Sequence, residues 1–65
     1  MNTKLRAARE KSGKTQAQVA KESQISEAQY QNIEYGNSNP TARTAIRIAD
    51  ALGVRSLKSF KEIFG

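Results

Sequence analysis

Apolar residues recur along this chain at spacings of three and four and never in a sustained alternation. Leu5 and Ala8 begin the pattern, Val19 and Ala20 continue it, and Tyr30 and Ile33 follow. Ala45, Ile46, Ile48, Ala49 and Leu52 then form a broad stripe. Spacing of this kind turns one side of a helix inward and argues against strands. Capping residues, glycines and one proline cut the pattern into five short helices. Asn2 or Thr3 caps the first, which runs to about Ser12 and is ended by Gly13. Thr15 caps the second, with Gln18 three residues on, the spacing of a capping box. A turn falls over Ser23, Gln24 and Ile25. Ser26 caps the third helix, which stops at Gly36. Pro40 makes Asn39 extended, and Thr41 caps a fourth helix from Ala42 to about Leu52, ended by Gly53. For the last helix, Ser59 and Glu62 have capping-box spacing and predict helix over Phe60 to Phe64. A start at Ser56 is nearly as good. The expected core takes every large apolar side chain: Leu5, Val19, Ile25, Tyr30, Ile33, Ile46, Ile48, Leu52, Leu57, Phe60, Ile63 and Phe64.

The third helix has an unusual outer side. Tyr30, Ile33 and part of Glu34 fall on one face, and Ala28, Gln31, Asn32 and Tyr35 on the other. Solvated helix faces are ordinarily rich in Lys and Glu. Gln and Asn amides donate and accept at once, which suits an adenine edge in a DNA major groove.

Size and charge narrow the reading. Sixty-five residues make one small domain, 1–65, with a limited core. The chain has no Cys and no His, which excludes disulfides, thiolate or imidazole metal sites, and His- or Cys-based catalysis. The absence of Cys suits a reducing cytosol, so a cytoplasmic location is expected. No apolar run is long enough for a membrane span or a secretory signal. No segment sets an aromatic-bearing apolar face against a basic one, as a membrane-surface helix would. Eleven Lys and Arg against six Asp and Glu leave a net charge of +5, and the pI is near 10. A field of that size on a short chain favours a polyanionic partner.

Residues from about Thr3 to Val54 resemble the helix-turn-helix domain of the Cro/C1-type (XRE-like) phage and plasmid repressors. The resemblance rests on Arg9, Thr15-Gln16, Val19-Ala20, Ile25-Ser26, Ile33-Glu34, Gly36, Asn39-Pro40 and Ala49 through Leu52-Gly53, in this order and spacing. It implies an all-α, compact five-helix, lambda-repressor-like domain whose helix-turn-helix unit spans about residues 15–36. It also implies an ion pair between Arg9 and Glu34. Each lies at the edge of its helix's inner face, where a partly buried charge needs a partner. By the same resemblance Gln16 contacts phosphate and braces the reading helix. Glu27, Ala28, Gln29 and Asn32 fall at or near base-reading positions, and Gln31 shares the outer face by spacing. Asn37, Ser38, Asn39 and Arg43 fall where phosphates are met, and the helix start at Thr41 to Arg43 favours an anion.

Three positions depart from the family pattern. Gln24 stands where glycine is usual and must take a left-handed conformation or a modified turn. Glu27 is acidic where many relatives carry a polar neutral or basic residue; it either accepts from a cytosine amino group or stabilises the first turn through the helix dipole. Residues 54–64 follow the pattern only loosely, and dimer contacts commonly lie there. Leu57, Phe60, Ile63 and Phe64 are expected as that contact, with residues 54–65 as the dimer segment; the opposing reading has Phe60 and Phe64 completing a monomer core. The expected function is a sequence-specific double-stranded DNA-binding regulator, a repressor acting as a homodimer on a palindromic operator. One alternative is an antitoxin-type autoregulator that also binds a protein partner. Another is an interaction domain that has lost DNA binding. A regulatory protein partner would have to supply any signal. No cofactor or metal is expected, and few, scattered carboxylates without a nucleophile speak against an enzyme.

Overall fold

Five helices follow one another with no strand: α1 (Thr3–Lys11), α2 (Gln16–Glu22), α3 (Glu27–Glu34), α4 (Ala42–Ala51) and α5 (Leu57–Phe64). They are taken from a computed structural model that describes residues 1–65. Each helix begins on a side chain that accepts from a backbone N–H of the first turn: Asn2 from Leu5, Thr15 from Gln18, Ser26 from Gln29, Thr41 from Thr44 and Ser56 from Ser59. At α2 and α3 the box is reciprocal, with the Gln18 and Gln29 amides reaching back to the cap N–H.

The last helix corrects the preferred expectation. It starts at Leu57 on Ser56, not at Phe60 on Ser59. Ser59 lies inside the first turn, and its N–H donates to Ser56 Oγ at 3.1 Å. The two serines offer the same cap chemistry, and packing decides between them. The longer helix carries Ile63 into the core and presents the Ile63 carbonyl to Asn2 Nδ2 at 2.7 Å. Asn2 thereby holds three elements together, since its own N–H donates to the Glu34 carbonyl at 2.8 Å and its Oδ1 caps α1.

The turn of the helix-turn-helix is a Schellman ending. Ile25 N–H reaches the Ala20 carbonyl and Gln24 N–H the Lys21 carbonyl. That ending needs a left-handed residue, and Gln24 supplies it with φ of 62°. Gly36 ends α3 in the same way at φ 83°, where a Cβ would also come within 3.2 Å of the Met1 nitrogen.

The core gathers Leu5, Val19, Ala20, Tyr30, Ile33, Ile48 and Ile63, with Ile25, Leu52 and Phe64 among the half-buried residues packed on it. Three expected core residues are outside it. Ile46 is 61% exposed, Leu57 is 67% exposed, and Phe60 is half-buried but not packed on the cluster. Successive residues of a helix are about 100° apart. Ala45, Ile48 and Ala49 point inward together, so Ile46 points off to the side. Leu57 is the first residue of α5 and faces outward beside it. Phe60 and Phe64 are half-buried, their ring centroids 5.0 Å apart. α2 packs on α3 and α4, and α1 on α3 and α5.

Candidate nucleic-acid interface

α3 turns Tyr30, Ile33 and Glu34 inward and leaves Glu27, Ala28, Gln29, Asn32 and Tyr35 exposed. What fixes its inward side is polar. Glu34 is 1% exposed, and Arg9, on α1, is 14% exposed. Arg9 Nε donates to Glu34 Oε1 at 2.8 Å and Arg9 Nη2 to Oε2 at 3.4 Å, a two-pronged contact. Tyr30 Oη donates to Oε1 at 2.9 Å, and Gln16 Nε2 to Oε2 at 2.6 Å. Arg9 Nη1 also donates to the Lys14 carbonyl at 3.0 Å. One carboxylate thus joins α1, the start of α2 and both ends of its own last turn. A buried carboxylate satisfied on both oxygens makes a stiff mount for the helix that bears it.

The titration behaviour follows from these contacts. Burial alone would raise the Glu34 pKa. Hydrogen bonds from Arg9, Gln16 and Tyr30 more than offset it, and the carboxyl lies below the usual range. The hydrogen bond to Glu34 raises the Arg9 pKa against the opposing effect of burial. Burial, then the bond to Glu34, pushes the Tyr30 phenol well above its ordinary value.

The Gln16 amide is engaged at both ends. Its Nε2 meets Glu34 and, at 3.4 Å, Tyr35 Oη, while its Oε1 accepts from Gln31 Nε2 at 3.3 Å. Gln31 is half-buried and also donates to Glu27 Oε2 at 3.3 Å. It shares the outer side by spacing, as expected, but lies against the N-terminus of α2. Asn37, Ser38 and Asn39 are exposed between α3 and α4. The N–H groups of Asn37 and Ser38 both donate to the Asn32 carbonyl, tying the loop to the reading helix. Arg43 is exposed in the first turn of α4.

Five ion pairs occupy every carboxylate except Glu27: Lys4–Glu62, Arg6–Glu10, Arg9–Glu34, Lys14–Glu22 and Arg55–Asp50. Lys11, Lys21, Arg43, Arg47, Lys58 and Lys61 have no carboxylate partner. The positive excess is therefore carried by uncommitted side chains. Two contributors escaped the sequence reading. The Tyr30 hydroxyl closes on Glu34; their four-residue spacing on one inner face was the available signal. Lys14 Nζ donates to Glu22 Oε1 and to the Ala51 carbonyl, both at 2.6 Å, which clamps α2 to the end of α4.

The outer face of α3 is polar, with Glu27 its one charged side chain, and the helix is braced through α1 and the start of α2. A family model described as helix-turn-helix matches residues 5–58. The chain belongs to the Cro/C1-type (XRE-like) helix-turn-helix family. It is a DNA-binding helix-turn-helix regulator. No curated protein and no solved structure gives a match. The helix-turn-helix match covers α1 to α4 and ends at the second residue of α5, so Phe60, Ile63 and Phe64 lie beyond it. No helix is long and apolar enough to cross a membrane, and no cluster of His, Cys, Asp or Glu is placed to hold a metal ion.

Proposed function

We propose that this chain is a transcriptional repressor that reads a palindromic operator as a homodimer. The observation that carries the reading is α3 itself. Its inner side is locked by the Glu34 network, while Ala28 and Asn32 stand outward beside Glu27 and Gln29. A helix held in that way can be pressed into a major groove without losing its orientation. Asn32 and Gln29 supply hydrogen bonds to base edges and Ala28 offers its methyl group to thymine. Asn37, Ser38, Asn39 and Arg43 take phosphates, and Gln16 takes one when its Nε2 gives up the long 3.4 Å contact with Tyr35 Oη. These contacts set register and carry no base identity.

Pairing uses the apolar surface between α4 and α5. Ile46 and Leu57 are exposed beside half-buried Phe60 and Phe64, and with Pro40, Ala42 and Ala45 they line one shallow apolar depression of about 520 Å³. Contiguous apolar surface of this kind on a small soluble domain supports an interface. In a two-fold dimer the patch meets its own copy, and two reading helices enter successive major grooves ~34 Å apart. Ile63 is no part of this surface, because it is buried in the monomer core.

Selection of bound sites from random duplex DNA, followed by footprinting, tests the proposal. A two-fold symmetric consensus is expected, with protection on one side of the duplex. Asn32→Ala should weaken specific binding by about 1–3 kcal/mol and leave stability near wild type. Recovery of no enriched sequence would overturn the reading.

A further inference from the structure

The amides around the reading helix differ in what they have left to offer a base. Gln29 belongs to the capping box of α3. Its Oε1 accepts the Ser26 N–H at 3.2 Å and meets the Ser26 hydroxyl at 3.5 Å. A carbonyl oxygen has two lone pairs, and Ser26 offers it two donors, its N–H and its hydroxyl. The two Nε2 hydrogens of Gln29 meet no other residue. Gln31 is the reverse: its Nε2 faces Gln16 Oε1 and Glu27 Oε2, each at 3.3 Å. Asn32 is exposed, and its side-chain amide is engaged by no other residue. The three amides are thus a donor, a brace and a free donor–acceptor pair.

Base edges sort the same way. In the major groove guanine presents two acceptors, O6 and N7. Adenine presents one acceptor beside an amino donor, and cytosine presents an amino donor. A side chain with hydrogens alone is matched in full by guanine. Opposite adenine or cytosine it sets donor against donor, and thymine O4 takes only one of its two hydrogens. A free amide matches adenine with one donor and one acceptor.

We propose that α3 divides its base reading by the capping box: Gln29, made donor-only by Ser26, selects guanine, and Asn32, free at both ends, selects adenine. The proposal rests on the reading that α3 enters the major groove of a specific site. It makes a helix cap a determinant of specificity. The residue that starts the helix also removes one of the two hydrogen-bonding functions of the residue three positions on.

Gln29→Glu isolates the idea. A glutamate keeps the acceptor that the Ser26 N–H needs, so the helix start survives, while both amide hydrogens disappear. Wild type and variant are each put through site selection from random duplex DNA. Competition binding then compares sites that differ at a single base pair, so that general weakening by the added charge cancels in the ratio. Wild type should require guanine at one position of each half-site. In Gln29→Glu the preference for guanine over adenine there should fall about tenfold or more, with the adenine requirement read by Asn32 unchanged. Circular dichroism should match wild type. If that variant loses helix, Gln29→Ala read by the same ratio replaces it, with the same loss expected. Two outcomes overturn the division while leaving specific binding intact: no base preference moves in the Gln29 variant, or the position that moves is adenine in wild type. A wild-type protein that enriches no sequence overturns the groove reading and this proposal with it.

Discussion

Glu34 and Leu57 are treated in opposite ways. Glu34 is enclosed, and both its oxygens accept, from Arg9, Tyr30 and Gln16. Leu57 is 67% exposed beside an equally bare Ile46, with half-buried phenylalanines behind them. A charge has been buried where a core would ordinarily be apolar, and apolar groups have been left out where a surface would ordinarily be polar. The first arrangement gives a helix one fixed orientation, which a reading element needs before it meets DNA. The second leaves favourable burial undone in the monomer, which the proposed dimer would complete with its own copy. By that proposal the Glu34 region is the finished side and the Leu57 patch the unfinished one.

The finished side breaks most severely. Glu34→Ala removes the acceptor for Arg9, Gln16 and the buried Tyr30 hydroxyl and strands Arg9, at a cost of about 3–5 kcal/mol. Small domains have roughly 5–15 kcal/mol in all, so the variant should be partly unfolded at moderate temperature. Urea denaturation followed by circular dichroism measures this; a loss below about 1 kcal/mol would mean that Arg9 reaches water easily and the network is ornamental. The same carboxylate sets an acid limit. Folding lowers its pKa, so in that range the native state holds fewer protons than the unfolded state, and stability falls as pH falls. The contribution is complete above the unfolded glutamate value of about 4.3 and is lost as pH drops through the lower native value. Glu34→Gln should be less stable at neutral pH yet lose less on acidification. Parallel acid curves for the two proteins would remove Glu34 as the titrating group.

The unfinished side should respond in assembly and not in folding. Leu57→Lys and Ile46→Lys alter exposed positions, so thermal unfolding of the monomer should stay near wild type. Dimerisation should weaken by about 1.5–3 kcal/mol for each large apolar side chain withheld from burial. Sedimentation should show monomer where wild type is dimeric, and footprints should require higher protein concentrations. A wild-type chain that sediments as monomer at high micromolar concentration without DNA sinks the interface in free solution.

Between these two effects lies the contact with phosphate. Arg43 is exposed, has no carboxylate partner, and sits at the start of α4. Arg43→Ala should lower affinity for specific and non-specific duplex alike. It should also reduce the log–log salt slope by about 0.9. Gln16→Ala removes no charge and should leave that slope unchanged. An Arg43→Ala slope equal to wild type would take Arg43 off the phosphate surface.

Most of the finished side was legible in the chain, and much of the unfinished side was not. Helix starts are decided within four residues, so Asn2, Thr15, Ser26 and Thr41 announce them directly. Ser56 and Ser59 offered the same chemistry, and only the packing of Ile63 against Asn2 and the core separates them. The Arg9–Glu34 pair was visible through the family pattern and through position at the edge of two inner faces. Its closure by Tyr30 required noticing a four-residue spacing. The contacts of Gln31 were not legible from spacing: its amide meets Gln16, fifteen positions away, and a helical wheel does not show a neighbouring helix. Ile46 and Leu57 looked like core because apolar composition alone cannot say which part of a broad stripe is covered.

Ser23 provides the smallest test and the one most specific to the contrast. It caps the C-terminus of α2, is fully buried, and its Oγ has no hydrogen-bond partner. It is the one buried side-chain polar atom of the domain without a hydrogen-bond partner. An unsatisfied buried hydroxyl costs about 1–3 kcal/mol relative to an apolar group of the same shape. Alanine keeps the Cβ, accepts the right-handed backbone at this position, and removes only the oxygen. Ser23→Ala should therefore raise stability by about 1 kcal/mol, which for a domain of this size is roughly 4–8 °C in Tm. Operator affinity should not change, because the residue faces the core. A loss of stability on the same scale would show that the hydroxyl is held by a hydrogen bond after all. The side around Glu34 would then be satisfied at every buried side chain, and the contrast with Leu57 would be sharper than drawn.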